Sequence, residues 1–211
     1  MNVAQSPTEK ALSVINYTKE DKTKYAGKRF ESAYHTVKLG EEIFTGQRKN
    51  YKRIENIEKK FDFTDKVMLD IGCNAGGLLY ALSEKIEYGV GIDVRPKCIN
   101  AANIIKDRNS IRNLNFYIFN LDTEDMARIP DFLLRDHIDV CSFCAVAMWV
   151  KKWKEAILFC KEIAPYLIFE SNGRRPFQKR QIQFVKENFS TVQQIDNEKD
   201  NTHRSIFLCE K

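Results

Sequence analysis

The sequence predicts an α/β, doubly wound domain, with a mostly parallel seven-stranded sheet, an antiparallel C-terminal hairpin edge and an N-terminal helical extension. Three observations carry that expectation. From Lys66 onward, short apolar runs alternate with longer amphipathic ones. The first run, KVMLDI, holds Asp70 near its end and opens into the glycine-rich turn Gly72-Cys73-Asn74-Ala75-Gly76-Gly77. The last two runs are separated only by the polar stretch DNEKDNTH, which reads as a hairpin.

Taken in order, strands are expected at 66–71, 88–93, 115–120, 138–143, 166–170, 191–195 and 205–210. The first five are short, apolar on both faces and followed by helices, the pattern of a buried parallel sheet with right-handed crossovers. Helices are expected at 76–85, 96–107, 123–134, 151–163 and 176–188. Pro96 and Pro176 stand where a first-turn proline suits a helix start. Residues 1–60 read as a separate extension, with helices near 7–18 and 48–60 and no sustained strand. Residues 61–211 then form the domain.

Composition narrows the class. The chain has 211 residues, 43% hydrophobic and 30% charged, as in an ordinary soluble globular domain. No apolar run approaches the roughly 18 residues that span a bilayer. The N-terminal MNVAQSPTEKALSV lacks a secretory pattern, so a cytoplasmic location is expected. Six cysteines sit mostly within apolar runs. Cys141 and Cys144 have C-x-x-C spacing but lie inside a strand, so buried free thiols are expected rather than a redox pair or a metal site. The net charge of +5 allows an anionic partner without demanding one.

Ligands of such sheets sit beyond the carboxyl ends of the strands, near the point where strand order reverses. The first strand brings Asp70, Gly72, Cys73, Asn74 and Gly76 to that end; the second brings Asp93 and Val94. The third brings Asn120, Leu121 and Asp122, the fourth Phe143 and the fifth Glu170. Asp93 follows the turn by about 20 residues, the spacing of a ribose-binding carboxylate. The turn is not the G-x-G-x-x-G of dinucleotide binders, and three aspartates would repel a pyrophosphate. They suit S-adenosylmethionine, which carries a sulfonium, an ammonium, a ribose diol and an adenine, and leaves S-adenosylhomocysteine as product. Asp93 is expected to accept from the ribose hydroxyls and Asp122 from the adenine amino group. Asp70 is expected to hold the ammonium or order the turn, and Asn74 to cap the next helix.

On these residues the chain resembles the class I, Rossmann-like S-adenosylmethionine-dependent methyltransferases. LDIGCNAGG is similar to their first motif, GIDV to their second and FNLDTED to the acidic segment after the third strand. IDVCSFCAVAMWVKKW is similar to their fourth-strand segment, so the resemblance spans roughly residues 60–210. It implies the enzyme class and cofactor.

The acceptor is less legible. Methylases of exocyclic or amide nitrogens usually carry an Asn/Asp-Pro-Pro-aromatic segment after strand four; here Ser142-Phe143-Cys144-Ala145-Val146 stands there, which disfavours an adenine- or glutamine-nitrogen acceptor and leaves oxygen acceptors favoured by elimination. Glu170 and His35 are the expected general bases. Tyr34, Arg48, Trp149 and Arg174 are expected to touch substrate, with the extension folding over the cofactor as a lid, and Trp149 and Trp153 are expected on one helix face. The leading expectation is O-methylation of a small molecule or saccharide. Two alternatives stay open: an RNA (tRNA) methyltransferase, and a non-catalytic cofactor-binding scaffold subunit.

Overall fold

The computed structural model describes residues 37–39, 42–44, 50–197 and 204–211. Its centre is a seven-stranded sheet of strands β3 (Val67–Ile71), β4 (Tyr88–Asp93), β5 (Leu114–Ile118), β6 (Val140–Cys144), β7 (Tyr166–Glu170), β8 (Thr191–Asn197) and β9 (Ser205–Glu210). They lie in the order β5-β4-β3-β6-β7-β9-β8. β3 pairs in parallel with β4 and β6, β4 with β5, and β6 with β7. β9 pairs antiparallel with β7 and β8, so the hairpin edge is as expected. The chain moves outward from β3 to β5, then returns to β6 on the other side of β3. The reversal point therefore lies at β3, above which the glycine turn opens.

Helices α1 (Asn50–Glu58), α2 (Gly77–Leu82), α3 (Pro96–Arg108), α4 (Trp153–Ile163) and α5 (Arg175–Asn188) cover the sheet. Every residue of β3 is buried, and its side chains alternate between two core layers. Met68 packs with Phe63, Leu79, Leu82 and Ile105 on one face; Leu69 and Ile71 pack with Val90, Phe143, Ile157 and Val185 on the other. Pro96 is in the first turn of α3, as its sequence position implies. Among the described residues, no helix is long and apolar enough to cross a membrane.

Three expectations are corrected. Residues 123–134 do not form an α-helix; Met126–Phe132 is a 3₁₀ segment containing Pro130, which has no N–H to give an α-helical ladder. The extension holds a two-stranded antiparallel hairpin, β1 (Val37–Leu39) and β2 (Glu42–Phe44), with strands too short for alternation to show in sequence. Trp149 and Trp153 do not share a helix face: Trp149 closes a 3₁₀ turn, Ala147–Trp149, and Trp153 begins α4. Trp153 instead packs edge-on against Phe177 and Phe184 of α5. The helix expected at 7–18 lies outside the described residues; the one expected at 48–60 is α1.

Five of the six cysteines are buried, and none is in a disulfide. Cys141 and Cys144 stand three apart on β6, so their side chains leave opposite faces of the sheet.

Candidate active site

The turn after β3 runs through three left-handed residues, Gly72 (φ 76°), Asn74 (φ 55°) and Gly76 (φ 80°). Glycine takes this conformation freely, and asparagine tolerates it better than most residues. A Cβ on Gly72 would stand 2.3 Å from Cγ2 of Val146, so the turn is pressed against the loop after β6. Gly72 and Cys73 N–H both donate to the Ile92 carbonyl, at 2.8 and 3.0 Å, which hangs the turn on the end of β4. The side chain of Asn74 accepts from Ala75 N–H at 2.7 Å. The expected helix cap is therefore not made; α2 begins after Gly76 without a side-chain cap.

Asp93 joins two loops. Its Oδ2 accepts from Asn74 N–H and its Oδ1 from Arg95 N–H, each at 2.9 Å. A carboxylate has about four acceptor sites, and Arg95 Nε also stands 3.7 Å from Oδ1 as an ion pair. An amide at this position would set an NH₂ group against one of the two donors.

Asp70 is only 4% exposed and shares a hydrogen bond with the Ser142 hydroxyl, its register partner on β6. Burial pushes its carboxyl up to about 6, against the lowering effects of Ser142 and the Arg53 charge; nearby Asp93 raises it further. A carboxyl raised above its unfolded value binds more protons when folded. It therefore contributes stability that is present below about pH 4 and lost as pH rises through about 6. Asp70→Asn, which keeps the shape and removes the charge, is expected to stabilise the fold at pH 7.5 by about 2–3 kcal/mol. The gain should vanish toward pH 4. Urea unfolding at both pH values checks this; a pH-independent difference would contradict it.

In the loop after β5, Asn120 Oδ1 accepts from Asp122 N–H at 3.0 Å, and Asp122 Oδ1 accepts from Lys152 N–H at 3.0 Å. This ties the loop after β5 to the start of α4. Val94 is exposed and Leu121 buried beside these carboxylates. Two residues expected to bind the cofactor have buried side chains. Phe143 has no exposed surface and lies in the core layer, so its ring is not available to a ligand. Cys73 is buried beneath the turn, and burial pushes its thiol well up, keeping it protonated.

Glu170, the expected base, is fully buried, with one oxygen paired to Arg53 of α1 and the other 3.4 Å from Arg204, just before β9. The three side chains link α1, β7 and the start of β9. Arg53 and Arg204 carry no sequence signal of this role, because the pairs form only on folding. Trp149 is 74% exposed at the rim, and Arg174 is exposed where α5 starts. Tyr34, His35 and Arg48 lie outside the described residues. The hairpin β1–β2 runs against α2, the helix that the glycine turn opens. Among the described residues, no group of three or more side chains is arranged to hold a metal ion.

The glycine turn thus sits at the reversal point of the sheet, tied by Asn74 N–H to the Asp93 carboxylate. Residues 62–199 match a family described as a methyltransferase domain. The chain belongs to that family and is an S-adenosylmethionine-dependent methyltransferase. Solved structures support the fold. The N-terminal domain of EvdMO1 with S-adenosylhomocysteine bound is 10% identical, with a TM-score of 0.61 over 78% of this chain and 81% of that one. The same domain in the presence of S-adenosylhomocysteine and D-fucose is also 10% identical, with a TM-score of 0.62 over 83% and 89%. The bifunctional kinase-methyltransferase WbdD is 16% identical, with a TM-score of 0.61 over 78% of this chain and 40% of its own. A dimethyladenosine transferase from Plasmodium falciparum is 14% identical, with a TM-score of 0.54 over 76% and 62%. No curated protein matched by sequence.

Proposed function

We propose that the chain transfers a methyl group to an oxygen of a small molecule or saccharide. The observation that carries this reading is the end of β6. Methylases of exocyclic or amide nitrogens usually carry an amide or carboxylate there, followed by prolines; this chain has Phe143, Cys144 and Ala145, and the preceding Ser142 is engaged with Asp70. The EvdMO1 domain studied with D-fucose lends the saccharide reading further support.

The donor set fits the cofactor. S-adenosylmethionine supplies the methyl group on its sulfonium. Asp93 would accept from the ribose hydroxyls with the acceptor sites its amide partners leave, Asp122 from the adenine amino group with its second oxygen, and Asp70 would face the ammonium. Gly72, Asn74 and Gly76 shape the turn that receives the methionine portion, beside Val94 and the segment from Asn120 to Asp122. The extension, including Tyr34, His35 and Arg48, would close over this pocket and exclude water. Displacement at a sulfonium needs alignment above all, and a base only for an acceptor that must lose a proton. With Glu170 committed to its arginines, His35 is the remaining proposed base. Trp149 and Arg174 would contact the acceptor. A cytoplasmic setting belongs to the same reading.

RNA is the second reading, favoured by the exposed Arg174, Arg175, Lys179 and Arg180. Incubation with methyl-labelled S-adenosylmethionine and fractionated extract separates the two. Label is expected in the glycan or small-molecule fraction; label entering RNA alone would overturn the oxygen-acceptor proposal.

A further inference from the structure

The loops after β6 and β7 are bound to each other by one side chain. Asn172 is fully buried between them. Its Nδ2 donates to the Ala145 carbonyl, and its Oδ1 accepts from Met148 N–H at 3.0 Å. Its own backbone is held from α5 by Gln181, whose Oε1 accepts from Asn172 N–H at 3.0 Å and whose Nε2 donates to the Asn172 carbonyl at 2.8 Å. Gln178, one turn earlier, donates to the Gly173 carbonyl at 2.8 Å and accepts from the Ser171 hydroxyl at 2.9 Å. Buried amides with partners on every side specify one geometry and resist others. That geometry includes a left-handed Ala145 (φ 59°), a conformation alanine takes only when its surroundings enforce it. A Cβ on Gly173 would stand 3.5 Å from that of Met148, so the two loops meet face to face.

The clamp presents a mixed surface beyond the carboxyl ends of β6 and β7. Met148 and Trp149 are 42% and 74% exposed. Arg174 and Arg175 follow Gly173 directly, and Lys151 and Lys152 follow Trp149 within three residues; all four are exposed. Among the described residues, no carboxylate forms an ion pair with any of these four side chains. An exposed indole, with four exposed cations on the same two clamped loops, suits a ring that bears negative charge.

We propose that the loops after β6 and β7 form one preformed acceptor platform, keyed by Asn172, and that its acceptor carries an anionic group, phosphate or carboxylate, on a sugar ring. This rests on the saccharide reading above and adds the charge of the substrate. The chain has two tryptophans, so Trp153→Phe leaves Trp149 as the only indole. In that background, protein saturated with S-adenosylhomocysteine is titrated with glucose 1-phosphate, with glucuronate and with neutral methyl glucoside, following Trp149 emission. A saturable response to either anionic sugar is expected, and which one responds distinguishes phosphate from carboxylate. The response should weaken about tenfold in the double variant Arg174→Ser/Arg175→Ser, and with added salt. Asn172→Ala should lower the fluorescence anisotropy of Trp149. An equal response to methyl glucoside, or none to either anionic sugar, would overturn the platform. Calorimetry with S-adenosylhomocysteine on the same samples separates the two levels: lost binding counts against the cofactor site, and retained binding without a sugar response counts against the platform alone. The surface arginine variants keep the test decisive if Asn172→Ala does not fold.

Discussion

Asp93→Ala is expected to weaken S-adenosylhomocysteine binding about ten- to a hundredfold, a loss of about 1.5–3 kcal/mol. Two effects act together. On the proposed reading, the carboxylate receives the ribose hydroxyls. It also receives the N–H groups of Asn74 and Arg95, in the loops after β3 and β4. Removing it strands both donors and frees a turn that already contains three left-handed residues. Asp93→Asn should fall between wild type and alanine, because an amide oxygen can still accept from one of the two. Calorimetry on the three proteins checks the order. Unchanged affinity in the alanine variant would remove Asp93 from the binding site.

Glu170→Ala is expected to cost about 3–5 kcal/mol of folding stability, because it leaves two buried arginines without their shared carboxylate. Domains of this kind are stable by only about 5–15 kcal/mol, so much of the margin goes. Arg53 and Arg204 side chains are 9% and 12% exposed, and water cannot readily take the place of Glu170. The outcome also decides between the two roles considered for this residue. A base can be replaced by glutamine with little change in stability, while methyl transfer slows. A structural link shows its loss in the denaturation midpoint whether or not substrate is present. Urea unfolding of Glu170→Ala and Glu170→Gln, with circular dichroism as the signal, reads this directly. A midpoint equal to wild type would restore the catalytic assignment.

Much of the architecture was legible because it is written locally. Tyr166–Glu170 and Ser205–Glu210 coincide with the expected strands residue for residue, as does Tyr88–Asp93, since continuous apolar runs bounded by polar turns leave little freedom in placement. The 3₁₀ segment at Met126–Phe132 resembles an α-helix in sequence because its apolar residues suit one, while the proline that prevents it lies inside the run. The glycine turn was legible for the same local reason: its glycines and Asp70 stand together in the chain, and Asp93 follows at a recognisable distance.

The sequence alone determined the sheet, the carboxylates at its open end and the class of cofactor, all through short-range pattern. Tertiary structure decided what individual polar residues do there. Arg53 meets Glu170 across 117 positions of sequence, and Ser142 meets Asp70 across 72. Neither pairing leaves a periodicity or a motif. An aspartate or glutamate at a strand end looks the same in sequence whether it faces a ligand, a backbone amide or a buried guanidinium. Burial and the partner brought by packing fix its chemistry, because desolvation and nearby charge set the free energy of its ionised form.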